Sequence, residues 1–225
     1  NYTGTVRDVM TVAHELGHGI HQYLAREQGY LNADTPLTTA ETASVFGEML
    51  TFERLMREEQ DPQQRLTLLC GKIEDTFATV FRQMAMHRFE VVMHNARRSE
   101  GELSKERLAE LWMQTQTEQF ADSIQFSPGY RWWWSYIPHF IGSPGYVYAY
   151  AFGELLTLAL IQRYRENPQG FVSGYIAMLK LGGSKTPAEV VAETGVNLED
   201  PDLWAKALDY LASMVDEAEA LARVR

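Results

Sequence analysis

Apolar residues recur at three- and four-residue steps through most of this chain, and the strict alternation of a half-buried strand is nearly absent. The first stripe is Val6, Val9, Met10, Ala13, Gly17 and Ile20. It predicts a helix opened by Thr5 and Asp8, spaced as a capping box, and running to about Gln28, where Gly29 offers a C-cap. Leu31 to Pro36 is a polar, proline-containing connection. Thr38 or Thr39 then caps a second helix that continues to about Glu59. Its stripe, Ala40, Ala43, Phe46, Gly47 and Leu50, is small enough to pack closely on the first helix. Residues 62–100 carry Leu66, Leu69, Ile73, Phe77, Val80, Phe81, Met84 and Phe89 at helical steps, with Met84 and Met86 as core filler. A turn at 99–101 leads to a helix ending at Phe120, with Ser104 as its N-cap. The pattern predicts an all-α, multi-helical fold, a single domain over residues 1–225, and no internal repeat.

Charge and cysteine usage narrow the function classes. Lys+Arg 20 against Asp+Glu 30 gives a net charge of -10, which argues against nucleic-acid or anionic-membrane partners. The one cysteine, Cys70, rules out an internal disulfide framework and suits the cytoplasm. No signal sequence opens the chain and no run of about 20 apolar residues crosses a membrane. The first residue is Asn rather than Met, which leaves a targeting segment upstream open.

The chemistry concentrates in His14-Glu15-Leu16-Gly17-His18. On a helix, positions i and i+4 share a face about 6 Å apart along the axis, so His14 and His18 can turn ring nitrogens to one metal ion. Glu15 sits about 100° round the helix from His14, placed to take a proton from a water at the metal without being a ligand. That is the arrangement of a zinc peptidase, and such a site needs a third protein ligand. His21 is seven residues from His14, about 10 Å of helix, and out of reach; Glu27 fails for the same reason. The second helix offers Glu41 and Glu48, seven apart on one face. One can bind the metal while the other hydrogen-bonds a ligand histidine. His87 and His94 have no partner at ligand spacing and read as ordinary surface or buried histidines.

Two aromatic segments follow. Residues 131–136, Arg-Trp-Trp-Trp-Ser-Tyr, come after the turn signal Ser127-Pro128-Gly129 and read first as a loop packed down by its large side chains, and second as a wall for a substrate. In residues 139–150, Gly142, Pro144 and Gly145 mark a loop in which His139 is surrounded by Tyr146, Tyr148 and Tyr150. Hydrogen-bond donors of that kind stabilise the oxyanion of peptide hydrolysis.

Residues 2–5, 14–21 and 40–48 together resemble oligoendopeptidase F, the bacterial branch of the thimet-oligopeptidase-like zinc peptidases. Residues 182–189, Gly195-Val196-Asn197-Leu198 and Asp202-Leu203-Trp204 are similar to that family's C-terminal segment. The resemblance implies zinc held by His14, His18 and Glu41, with Glu48 orienting a zinc histidine and Glu15 as general base. It implies His139 and Tyr146 as the catalytic donors on the loop, and Tyr148 and Tyr150 as substrate-binding residues. The final tyrosine of the thimet branch falls near Gly153, so that donor is absent or replaced by Tyr148 or Tyr150. The function implied is zinc-dependent endopeptidase cleavage of short oligopeptides.

Family members carry a large helical portion ahead of the zinc motif, which here begins at residue 14. The expectation is therefore a C-terminal portion whose isolated activity is poor and whose partner is the missing N-terminal portion of the same enzyme. Two other readings stay open: a non-catalytic remnant that keeps the ligands, and a zinc carboxypeptidase or dipeptidase with Arg131 as the clamp for a peptide C-terminus.

Overall fold

Thr5 opens the first helix through a complete capping box: its hydroxyl accepts the Asp8 N–H at 3.2 Å, and the Asp8 carboxylate accepts the Thr5 N–H at 3.1 Å. Thr3 adds its own N–H and hydroxyl to the same carboxylate, and these bonds, Thr3 ahead of Thr5, hold Asp8 well below the usual carboxylate range. In the computed structural model, which describes residues 2–223, this helix α1 spans Val6–Ala25. A single tight 3₁₀ turn over Arg26–Gln28 then ends at Gly29 with φ +75°. The buried face of α1 differs from the expected stripe. Gly17, His21 and Ala25 are buried, while Val6 and Ile20 face solvent, because α1 meets its neighbour along a narrow line of four-residue steps.

The second predicted helix is broken in two. A one-turn α2 (Leu37–Ala40) is followed by Glu41 at φ −83°, ψ −4°, and α3 then runs over Thr42–Glu58. Neither Thr38 nor Thr39 is the cap: α2 starts after Pro36, and Glu41 itself occupies the junction. Leu50 is exposed; below Gly47 the buried face follows Met49, Phe52 and Met56 instead.

The rest is helical as the periodicity predicts. Helix α4 (Pro62–Phe77) passes through a π turn over Ala78–Arg82 into α5 (Gln83–Glu100). Ser104 caps α6 (Lys105–Phe120) by accepting the Arg107 N–H at 3.1 Å. Met86 is core while Met84 is exposed. Residues Pro128–Tyr136 form a 3₁₀ run, and α7 (His139–Gly142) is one turn long. The last four helices are α8 (Tyr148–Glu166), α9 (Pro168–Lys180), α10 (Pro187–Ala192) and α11 (Pro201–Arg223). No strand occurs among the described residues, so the all-α expectation holds.

The chain divides into two compact units: residues 1–76 with 152–225, and residues 77–151. The first has a core of Phe46, Met49 and Phe52 with Leu156, Leu160, Ile161, Phe171, Met178 and Val191. Phe46 stacks on Tyr175 and Phe171 there, with centroids 4.5 and 5.8 Å apart. The second unit is built on Phe89, Trp112 and Phe140, with Met86, Leu111 and Val147 around them. No described helix is long and apolar enough to cross a membrane.

Candidate metal centre

Two glycines bring the motif helix against α3. A β-carbon at Gly17 would lie 2.4 Å from the Ala43 carbonyl oxygen and 2.6 Å from the Ser44 α-carbon; one at Gly47 would lie 2.9 Å from the Ala13 carbonyl oxygen. Only the missing side chains allow backbone to pass so close to backbone. The crossing places His14 and His18, which flank Gly17, beside Glu41 and Glu48, which bracket the facing turns of α3.

The three expected ligand atoms converge. His14 Nε2 and His18 Nε2 are 3.1 Å apart, and Glu41 Oε2 lies 3.3 and 3.5 Å from them. Ligand atoms about 2.0–2.1 Å from a tetrahedral ion are separated by roughly 3.3 Å, so the spacing fits zinc. Among the described residues these three side chains form the group of His, Cys, Asp and Glu suited to a metal.

The remaining polar atoms fix that orientation. His14 Nδ1 is 2.5 Å from Glu48 Oε1. The carboxylate can only accept, so Nδ1 carries the proton and Nε2 presents its lone pair. The Glu48 hydrogen bond is the largest influence on His14 and raises its pKa above 6.5; burial opposes it, and the charges of Glu48, Glu41 and Glu15 add to it. The buried Ser44 hydroxyl is 2.8 Å from Glu41 Oε2 and 3.0 Å from the Glu41 carbonyl oxygen, steadying that carboxylate from the first turn of α3. A β-carbon at Gly153 on α8 would lie 3.2 Å from the Glu41 β-carbon, so Gly153 is a close-packing position beside Glu41. Glu15 is exposed next to His14. Ser44 lies within residues 40–48, and its i,i+3 spacing from Glu41 is the sequence signal for this contact.

His21 is buried, and its Nδ1 has no hydrogen-bond partner. Burial first, and the nearby His18 second, push its pKa down to about 4. A histidine that titrates near 4 when folded and near 6.5 when unfolded must bind its proton in the unfolded chain first. Stability is therefore lost as pH falls from about 6.5 toward 4, by about 2 kcal/mol at pH 5. Urea unfolding at pH 7 and pH 5 checks this: His21→Leu should lose measurably less stability than the parent over that interval, and equal losses would remove His21 as the cause.

The second unit holds the aromatic donors. His139 lies on the single turn of α7 and packs its ring against Tyr146 (centroids 5.4 Å, stacked) and Tyr150 (6.0 Å, edge-on), with Tyr146 and Tyr150 5.1 Å apart. Tyr150 Oη is 3.4 Å from His139 Nε2. Gly145 takes φ +76°, and its N–H donates to the buried Glu90 Oε1 at 2.8 Å. The predicted loop is thus short, at 143–147; His139 precedes it on a helical turn, and Tyr148 and Tyr150 belong to the first turn of α8. Tyr148 is partly exposed and its ring is 5.9 Å from that of His87. In the other aromatic segment Trp134 packs against the core of its unit while Trp132, Trp133 and Tyr136 are exposed, so the run is packed down only in part; Arg131 lies over the Trp132 ring.

Residues 1–210 match Peptidase family M3. The chain is 33% identical to the chromosomal oligoendopeptidase F of Lactococcus lactis subsp. cremoris over 98% of its own length and 37% of that protein's. It is 32% identical to the oligopeptidase PepF of Bacillus subtilis strain 168, again over 98% of its length and 33% of that protein's. The crystal structure of oligoendopeptidase-F from Enterococcus faecium superposes with a TM-score of 0.85 at 27% identity, covering 98% of this chain and 40% of that one. The chain therefore spans little more than a third of the length of the curated relatives it matches.

Proposed function

The chain belongs to peptidase family M3, and from that premise we propose that it is the zinc-bearing part of an endopeptidase that hydrolyses short oligopeptides. The observation that carries the reading is the convergence of His14 Nε2, His18 Nε2 and Glu41 Oε2 within 3.1–3.5 Å of one another. Three lone-pair donors brought that close repel one another unless a cation lies among them. When bound, zinc supplies Lewis acidity toward the peptide carbonyl and a water acidified to about pKa 7.

The chain's own residues supply the rest. Glu48 holds the Nδ1 proton of His14, so that Nε2 stays free for the metal, and Ser44 steadies Glu41. Glu15, exposed at the surface of α1, serves to accept the proton of the attacking water and hand it to the leaving amine. His139 and Tyr146 serve as donors to the developing oxyanion, and Tyr148 and Tyr150 contact the peptide. The mutual packing of His139, Tyr146 and Tyr150 supports treating them as one donor cluster. The net charge of -10 and the free, half-buried Cys70 support a cytoplasmic protein whose partners are peptides, and the 37% coverage of its relative supports a longer complete form, for which the expected N-terminal portion is the candidate.

Metal content tests the centre. Purified chain should carry about one zinc per molecule by elemental analysis. Glu41→Gln should weaken zinc binding far more than Glu48→Gln, because a lost ligand outweighs a lost partner of a ligand, whose removal is worth roughly 10–100-fold. Equal loss from both variants, or loss confined to Glu48→Gln, would move the third ligand off Glu41.

A further inference from the structure

Behind Glu48 lies a buried ion pair that none of the roles above involves. Lys72 on α4 and Glu154 on α8 are both buried, with Lys72 Nζ 3.3 Å from Glu154 Oε1. The Thr76 hydroxyl donates to the same oxygen at 2.9 Å. Lys72 Nζ is also 4.0 Å from Glu48 Oε2, the carboxylate oxygen that His14 does not use. The contacts thus form one line, from Thr76 and Glu154 through Lys72 to Glu48 and His14.

Burying a lysine and a glutamate is costly for both charges, and apolar residues of similar volume would fill the same space with less penalty. Placement explains what the pair does. An ammonium held by Glu154 on one side attracts Glu48 Oε2 on the other, which turns Oε1 toward His14 Nδ1. Glu154 also offsets the lysine's charge, so Glu48 is left as an anionic acceptor for the imidazole N–H.

We infer that Lys72 and Glu154, with Thr76 behind them, are positioning residues for the metal centre, setting the Glu48 carboxylate that aims His14 Nε2 at zinc. The inference rests on the reading of His14, His18 and Glu41 as zinc ligands. It assigns the pair a role that bridging α4 to α8 alone would not require.

The test is zinc affinity of the whole chain, measured by competition with a chromophoric chelator, with thermal unfolding in EDTA as the check on folding. Lys72→Met with Glu154→Gln removes both charges at near-constant volume, so no lone buried ion remains. This double variant should weaken zinc binding by 10–100-fold, the range seen when support for a ligand is lost. In a Glu48→Gln background the same double change should have less than a twofold further effect, since its influence runs through that carboxylate. Parent-like affinity in the folded double variant, or full additivity with Glu48→Gln, would overturn the inference and leave the pair a packing element. If the double variant does not fold, Thr76→Val replaces it, with a few-fold weakening expected that is likewise absent in the Glu48→Gln background; no weakening overturns the inference. A parent chain that binds no zinc is a separate result, and it removes the metal centre itself.

Discussion

Glu15→Gln is expected to keep zinc affinity within a few-fold of the parent and to lower peptide hydrolysis by roughly 10²–10⁴-fold. The amide has the size and most of the hydrogen-bonding reach of the carboxylate, but it cannot take a proton from water. Glu15 holds none of the three converging positions, which belong to His14, His18 and Glu41, so the metal centre should survive the change. Its charge does act on His14, and losing it removes one of the smaller influences raising that histidine. The same carboxylate also attracts a dication, so its removal should lower zinc affinity by no more than that few-fold. The measurement is hydrolysis of an internally quenched oligopeptide alongside zinc content, in a form extended by the N-terminal portion if the chain alone turns over too slowly to compare. Near-normal turnover with full zinc would show that another base does the work; loss of zinc together with activity would mean Glu15 is part of the metal site.

Much of the candidate metal centre was legible in the sequence because its determinants are local. The His14/His18 spacing acts within one helix, and the capping box at Thr5 and Asp8 fixes where that helix begins. Both rest on interactions three to four residues apart, the range over which a sequence pattern and a helix are nearly the same information. The choice between Glu41 and Glu48 was different in kind: their seven-residue spacing allowed either as ligand, and family resemblance favoured Glu41. In the structure Glu41 reaches the two Nε2 atoms from the break between α2 and α3, a kink that periodicity had smoothed into one helix. The break matters, because it lets Glu41 leave the register of α3 while Glu48, still inside the helix, meets Nδ1. Lys72, Glu154 and Thr76 were not legible at all. Lys72 and Glu154 are 82 residues apart, and each alone reads as a solvated charge on an amphipathic helix until the fold buries them together. The aromatic segment at 131–136 was legible only in part: Trp134 packs against the core of its unit as a packed-down loop requires, while Trp132, Trp133 and Tyr136 stand outward from the 3₁₀ run.

The conformational determinant with the largest expected effect is Gly17. Gly17→Ala adds one carbon, yet that carbon would sit 2.4 Å from the Ala43 carbonyl oxygen, inside any allowed contact and against backbone that no rotamer change can move. Helix α1 and helix α3 must separate or shear to admit it, and overpacking of this kind typically costs 1–3 kcal/mol. The ligand atoms straddle the same crossing, His14 and His18 on one side and Glu41 on the other, at separations of 3.1–3.5 Å that suit one small ion. A displacement of even about 1 Å spoils that set, so zinc affinity should fall by roughly a hundredfold beyond the loss in stability. Gly19 is the control within the same helix: nothing lies within 4 Å of a β-carbon there, so Gly19→Ala should leave zinc binding unchanged and raise stability by up to about 1 kcal/mol through helix propensity. Urea unfolding in EDTA and zinc competition on the two variants separate the effects. Should Gly17→Ala behave like Gly19→Ala in both, the close crossing of α1 and α3 is not what assembles the metal centre.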